Sequence, residues 1–96
     1  MATGDVTILA VVCDTTQYVQ VFDGAAFTGG ILQVDDNRAP VRIEIAAAQP
    51  AVGDDNYFIL RADSPPLQIG AIQAGVKIWA RGHTSPAKVR FTEVAR

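Results

Sequence analysis

The sequence predicts an all-β fold: an antiparallel β-sandwich or small barrel, jelly-roll-like, with seven or eight short strands. Apolar and polar residues alternate with a period of two in several short segments. Turn-forming residues separate these segments at intervals of roughly ten residues, and no window holds the spacing of an amphipathic helix. A length of 96 residues suits one domain, so we expect a single domain over 1–96, with residues 1–5 as a flexible N-terminal arm.

The strand segments can be placed in order along the chain. The clearest alternation is that of Val41, Ile43 and Ile45 with Arg42 and Glu44. The candidate strands are residues 6–12, 18–22, 31–34, 41–45, 57–61, 67–69, 76–81 and 89–92. Turns are expected between them at residues 23–24, 29–30, 35–37, 53–56, 64–66 and 82–86, which are rich in Gly, Asp, Asn and Pro.

Two of these segments, residues 6–12 and 57–60, are apolar on both strand faces. In a small sandwich each sheet has one face toward water, so such a strand needs additional cover. An oligomer interface or a docking surface would provide it, and so would a central position in the sheet under covering loops.

Composition favours a compact interaction protein over an enzyme. Hydrophobic residues make up 49% of the chain and charged residues 19%. Residues 1–76 hold three basic and nine acidic side chains, whereas residues 77–96 hold five basic and one acidic. This asymmetry indicates a charged partner or copies that meet head to tail, or simply a basic last hairpin. The isoelectric point near 5.1 argues against specific nucleic-acid binding, and residues 8–13, the longest apolar run, are too few to span a membrane.

No residue pattern indicates catalysis, a metal site or a cofactor. His83 has Ser85 two residues away in a predicted loop, which does not make a Ser–His pair with an acid behind it. Cys13 ends an apolar strand without a motif, so we expect a buried thiol, with a disulfide to another chain as the alternative. The Asp-Asp-Asn triplets at 35–37 and 54–56 lack the spacing of a calcium loop and are read as turns.

The last two strands predict an interaction surface. Alternation places Lys77, Trp79 and Arg81 on one face of the first strand, and Lys88 and Arg90 on one face of the second. If the apolar residues between them point inward, these five form one basic outward patch centred on a tryptophan. Trp and Arg are frequent anchors of protein interfaces. The alternative is that a loop covers Trp79 and that its indole N–H is bonded to a carbonyl oxygen.

The segments 66–82 and 87–94, which include VKIWARG at 76–82 and AKVRF at 87–91, resemble the C-terminal part of small virion proteins of tailed bacteriophages. The resemblance implies a capsid decoration or cement protein, made in the host cytoplasm, that binds the assembled head in many copies. Its partner would be the major capsid protein or another virion protein, and it would be a homo-oligomer, with a trimer favoured. Neck, tail-ring and fibre-base subunits share this construction. The predicted contacts are Lys77, Trp79, Arg81, Lys88 and Arg90, with Tyr18 and Phe22 as secondary candidates.

A carbohydrate-binding or other ligand-binding module is the main alternative. Such a module stacks sugars on exposed aromatic rings and flanks them with Asp, Asn or Arg. Residues 54–56 beside Tyr57 fit the polar part of that pattern. The candidate ring platforms are Tyr18, Phe22, Phe27, Tyr57 and Trp79.

Overall fold

A computed structural model of the chain describes residues 6–25, 27–34, 39–61, 65–70 and 73–95. Within these residues the chain forms eight strands and no helix. The strands are β1 (Val6–Cys13), β2 (Val19–Asp23), β3 (Phe27–Val34), β4 (Val41–Ala46), β5 (Phe58–Leu60), β6 (Leu67–Ile69), β7 (Lys77–Gly82) and β8 (Ala87–Ala95). The arm expected at residues 1–5 and the triplet at 35–37 lie outside the described part.

The strands form two antiparallel four-stranded sheets. Sheet A has the order β1-β8-β3-β6 and sheet B the order β2-β7-β4-β5. The prediction of an all-β antiparallel sandwich with seven or eight strands is therefore confirmed. The strand order is that of an eight-stranded jelly roll.

This strand order follows from one long antiparallel hairpin that has been rolled up. Strand β4 pairs with β5, β3 with β6, β2 with β7, and β1 with β8, as in a ladder closed from its middle. Rolling the ladder adds the pairs β3–β8 and β4–β7, which complete the two sheets. As a result β7 and β8 each lie inside a sheet, between two neighbours.

The core lies between the inner faces of the two sheets. On sheet A, Leu32 is opposite Phe91 and Val34 is opposite Val89, and all four side chains are buried. Sheet B contributes Val41, Ile43, Ile78 and Ala80 from β4 and β7, again without exposed surface. The alternation in the sequence predicted these inward residues correctly, because both strands are regular over this stretch.

A β-bulge in β2 changes which residues of that strand point inward. The register against β7 shifts between Gln20 and Phe22, so that Val21 and Phe22 are both buried. An extra residue in one strand breaks the two-residue alternation at that point. The Phe22 ring therefore enters the core, with its centroid 5.0 Å from that of Phe91. The prediction that Phe22 is a secondary contact for a partner is wrong for this reason.

The glycine pair at 29–30, predicted as a turn, lies inside β3. Gly30 is opposite both Ile69 of β6 and Glu93 of β8. A Cβ atom on Gly30 would collide with the backbone oxygen of Thr92, so close approach of the β8 backbone requires glycine here.

The connection between β7 and β8 is fixed by backbone hydrogen bonds to two other connections. The N–H of Gly82 donates to the Asp14 oxygen at 2.9 Å, and the N–H of His83 donates to the Pro40 oxygen at 3.1 Å. A Cβ atom on Gly82 would collide with the backbone oxygen of Ser85. Three connections that cross between the sheets are thus joined at one end of the sandwich, which we call the crossover corner.

One acidic side chain, Glu93 of β8, points into the interior. It is 1% exposed, and its Oε2 atom has no hydrogen-bond partner among the described residues. Burial, and after it the nearby Asp23 carboxylate, raises the pKa of Glu93 to about 7. The folded chain therefore favours the protonated carboxyl, which needs no counter-charge.

We expect Ile43→Asp to unfold the protein, because Ile43 is fully buried and the new carboxylate would have no partner. Ile45→Asp is a matched control on the same strand. Ile45 is 52% exposed, since the β4–β5 ladder runs only from Val41 to Ile43 and leaves its flank open. Far-UV circular dichroism of both variants checks the prediction, and a folded Ile43→Asp protein would contradict the core assignment.

We expect the free energy of unfolding to fall as pH rises from about 4.5 to about 7. In that window the folded chain keeps the Glu93 proton while the unfolded chain, with a pKa near 4.5, has lost it. The decrease would amount to about 3 kcal/mol. Glu93→Gln should reduce this slope, whereas Asp55→Asn, at an exposed carboxylate, should retain most of it. Urea denaturation at pH 4.5 and pH 7.5 measures the effect, and an unchanged slope in Glu93→Gln would disprove it.

Candidate functional site

The predicted basic patch does not exist as one surface. Strand β7 belongs to sheet B and β8 to sheet A, so the two strands are consecutive in the chain but lie in opposite layers. The outward side chains of β7, Lys77, Trp79 and Arg81, are on one side of the sandwich. Those of β8, Lys88 and Arg90, are on the other. The sequence prediction failed because it assumed that neighbouring strands pair as a hairpin.

Trp79 is covered rather than presented to a partner. The side chain is 8% exposed, and its indole N–H donates to the Ala46 oxygen at 3.1 Å. This confirms the alternative raised by the sequence, a tryptophan covered by neighbouring chain with its N–H bonded to a carbonyl. Trp79 is therefore not available as the centre of an interface on the isolated chain.

The β4–β5 connection lies over the part of the outer face of sheet B that carries Arg42 and Glu44. Gln49 in this connection donates a hydrogen bond from its side-chain amide to the backbone carbonyl oxygen of Tyr18 at 2.7 Å. Tyr18 itself is buried, so it too is corrected from a secondary contact to an interior residue. Near the end of the same connection, the Tyr57 ring carries the Arg42 guanidinium 4.4 Å from its centroid.

A polar layer lies beneath this connection. Glu44 is buried, and its pKa is raised by burial and then by the neighbouring Asp54 carboxylate. The pKa of Tyr18 is also raised, by burial first and by Glu44 second. The Nε atom of Arg81 donates a hydrogen bond to the backbone carbonyl oxygen of Thr15 at 2.8 Å. The Nη1 atom of Arg81 is buried and has no hydrogen-bond partner among the described residues. Arg81 ties the β1–β2 connection to sheet B, and Glu44 and Tyr18 are buried.

His83 has a structural role in this layer. Its Nδ1 atom accepts a hydrogen bond from Arg42 Nε at 2.9 Å, and its ring centroid lies 6.4 Å from that of Tyr57. Acceptance at Nδ1 uses the lone pair that a catalytic base would need. Ser85 is exposed in the turn beyond. The arrangement explains His83 without any catalytic assignment.

Cys13 is a buried thiol, as expected. It has no exposed surface, and its Sγ atom lies 3.7 Å from the Val11 oxygen. Burial, with a smaller contribution from Asp14, raises its pKa to about 11, so the thiol stays protonated at neutral pH. A disulfide to another chain would require the end of β1 to leave its place in sheet A.

Among the described residues, the outer face of sheet A has three exposed aliphatic side chains, while Ile45, Val52 and Phe58 are exposed elsewhere. Ile8 and Val12 of β1 are 65% and 66% exposed, and Ile31 of β3 is partly exposed as well. Registers place Ile8 and Ile31 on either side of Thr92, and Val12 opposite Lys88. We call the outward residues of β1, β8 and β3 the sheet A face. The sequence indicates that residues 6–12 need cover, but it does not show that Ile31 lies on the same face of the sheet.

The sheet A face continues into a shallow groove at the β3–β6 side. Its lining residues are Ile31, Gln33, Leu60, Pro65, Pro66, Leu67 and Gln68. The groove adds apolar surface to the face and presents the side-chain amides of Gln33 and Gln68 beside it. The described residues include no cluster of His, Cys, Asp and Glu that could hold a metal ion.

We expect Trp79→Ala to lower the free energy of unfolding by about 3–5 kcal/mol, because it removes a buried ring and leaves the Ala46 oxygen unpaired. Trp79→Phe keeps most of the ring and loses only the N–H donor, so its loss should be smaller. Urea denaturation followed by circular dichroism measures both variants. An unchanged free energy of unfolding in Trp79→Ala would contradict the burial of this ring and would favour the prediction that Trp79 contacts a partner.

No helix among the described residues is long and apolar enough to cross a membrane. Comparison with protein-family models, curated proteins and solved structures finds no match to this chain. Function therefore has to be inferred from the two sheet faces and their chemistry.

Proposed function

We propose that this chain is a non-enzymatic structural protein of a bacteriophage virion, a capsid decoration protein that binds the assembled head and stabilises it. The observation that carries the proposal is the sheet A face, where Ile8, Val12 and Ile31 are exposed together on one side of the sandwich. The resemblance of the segments 66–82 and 87–94 to small virion proteins of tailed phages, stated above from the sequence, motivates the same assignment.

The contrast between the two outer faces supports a docking role for sheet A. In an antiparallel sandwich the outer face is ordinarily polar, because it is in contact with water. Sheet B has a tryptophan on its outer face and covers it with its own chain. Sheet A has isoleucine and valine there, with Lys88 and Arg90 on the central strand between them. Apolar side chains on both sides of a basic strand fit a partner whose apolar contact residues flank acidic ones.

The contacts proposed here replace those predicted from the sequence. Lys88 and Arg90 remain, and Ile8, Val12 and Ile31 take the place that Trp79 was expected to hold. Burying one such aliphatic side chain contributes on the order of 1.5–3 kcal/mol. A protein that binds only the assembled shell stabilises it by mass action at every occupied site. Self-association would add avidity, since one docked subunit raises the local concentration of the next.

The carbohydrate-binding alternative has less support from the aromatic side chains than the sequence suggested. Tyr18, Phe22 and Trp79 are buried, and Phe27 packs against the core. The Tyr57 ring is in contact with Arg42. Jelly rolls occur in lectin domains as well as in capsid proteins, so the strand order alone does not separate the two classes. The side chains favour protein docking.

The copy number of the chain in purified particles tests the proposal. Particles of the phage that encodes it should contain hundreds of copies, and heads assembled without it should rupture at lower temperature. A ring-shaped neck or tail subunit would instead be present at about six or twelve copies, as closed cyclic symmetry dictates. Absence from particles would overturn the virion assignment.

We expect Ile31→Asp to weaken head binding at least tenfold, because it places a carboxylate on the β3 side of the sheet A face, opposite Thr92. Gln20→Asp is the matched control, since Gln20 is exposed on β2 of the opposite sheet. Sedimentation of each variant with heads that lack the protein measures binding, and cooperative thermal unfolding confirms that both variants are folded. Equal binding by the two variants would exclude this face.

A further inference from the structure

We propose that β1 pairs with β1 of a second copy of this chain, antiparallel and around a two-fold axis, so that two A sheets become one continuous sheet of eight strands. The inference specifies how the self-association mentioned in the proposed function would occur. It holds whether or not the chain is a virion protein. It concerns the outer edge of β1, which pairs with no other strand among the described residues.

The β1 edge lacks the usual protection of an edge strand. Among the described strands, β1 is the last strand of sheet A, and its one partner there is β8. Its eight residues, VTILAVVC, contain no charge, no proline and no glycine. The ladder with β8 runs without a register shift from Val6 opposite Val94 to Cys13 opposite Ala87. Proteins normally interrupt edge strands with charges, prolines, bulges or short length, and a long uncharged edge pairs with another strand.

The other open edges of the described sandwich do not match β1. Strands β5 and β6 have three residues each. Strand β2 has five, is interrupted by the bulge between Gln20 and Phe22, and ends on Asp23. Among the described edges, β1 itself is the one strand with a long, regular and uncharged edge. A strand that is its own best partner produces an isologous contact with two-fold symmetry.

The alternation of side chains restricts the register of this pair. Ile8, Ala10 and Val12 point outward, and they must meet outward residues of the second copy for the two sheets to be continuous. One such register places Ala10 opposite Ala10 of the partner subunit and Ile8 opposite Val12 of the partner subunit. Directly opposed side chains lie about 5 Å apart, so the two most exposed apolar residues of the strand would cover each other's flanks.

Electrostatics do not oppose the pairing. The nearest charged side chains on the sheet A face are Lys88 and Arg90 of β8, one strand away from the edge. In the paired sheet the two β8 strands are three strand spacings apart, about 14 Å. This distance exceeds the Debye length of about 8 Å at physiological salt, so repulsion between the two basic stripes is largely screened.

The symmetry differs from the one that the phage resemblance implies. A two-fold edge contact gives a dimer, whereas the resemblance favours a trimer. The paired sheet would also place two sheet A faces side by side, which doubles the apolar surface available to a partner.

Light scattering coupled to size-exclusion chromatography, from low micromolar to near-millimolar concentration, tests the inference. The wild-type chain should have twice its mass of 10.2 kDa. Ala10→Lys should weaken association at least tenfold and return the mass to that of one chain, because two added charges would meet at the two-fold axis. Gln33→Lys is the matched control and should remain dimeric, since Gln33 is exposed on the same face but lies on β3, two strands from the edge.

Hydrogen exchange separates edge pairing from association through another surface. Amides of β1 should exchange more slowly in the wild-type dimer than in Ala10→Lys, while amides of β5 should not differ. Val12→Lys serves as the second variant if Ala10→Lys does not fold. A wild-type monomer, a trimer, or a dimer unaffected by both substitutions would overturn the inference. None of these results bears on the copy number in particles, so the failure of one proposal is distinguishable from the failure of the other.

Discussion

The crossover corner is the constraint on which the two-sheet arrangement depends. The hydrogen bond from Gly82 to the Asp14 oxygen joins the β7–β8 connection to the β1–β2 connection. The bond from His83 to the Pro40 oxygen joins it to the segment that leads into β4. Because β7 and β8 are inner strands of opposite sheets, a shift at this corner would displace both sheets relative to each other. The absence of a side chain on Gly82 permits this tight geometry.

The inward faces of the strands were predictable from the sequence, and the pairing of the strands was not. Val41, Ile43, Ile78 and Val89 follow the two-residue alternation, which is a local property of each strand. The neighbours of β8 are β1 and β3, which lie far away along the chain. Sequence reasoning favoured β7 as its partner because consecutive strands are usually neighbours. A jelly roll departs from that tendency at almost every connection.

The candidate site was hard to predict because exposure did not follow residue type. Tryptophan is a frequent interface anchor, yet Trp79 is buried and Ala46 of β4 accepts its N–H. Ile8 and Val12 look like core residues, yet no described segment covers them. The apolar character of residues 6–12 on both faces was the one signal in the sequence that pointed to the sheet A face. The bulge that turns Phe22 inward left no such signal.

The nested pairing of the strands determines when the fold can form during synthesis. Pairing β4 with β5 closes the shortest loop, and each later pair encloses the one before it. Sheet A receives β8, one of its two inner strands, only after the other seven described strands have been made. Until then β1 has neither edge paired, with its uncharged residues open to other chains. The strand with the strongest tendency to associate is therefore the one that waits longest for its partner, so slow translation would favour contacts between nascent chains over contacts within one.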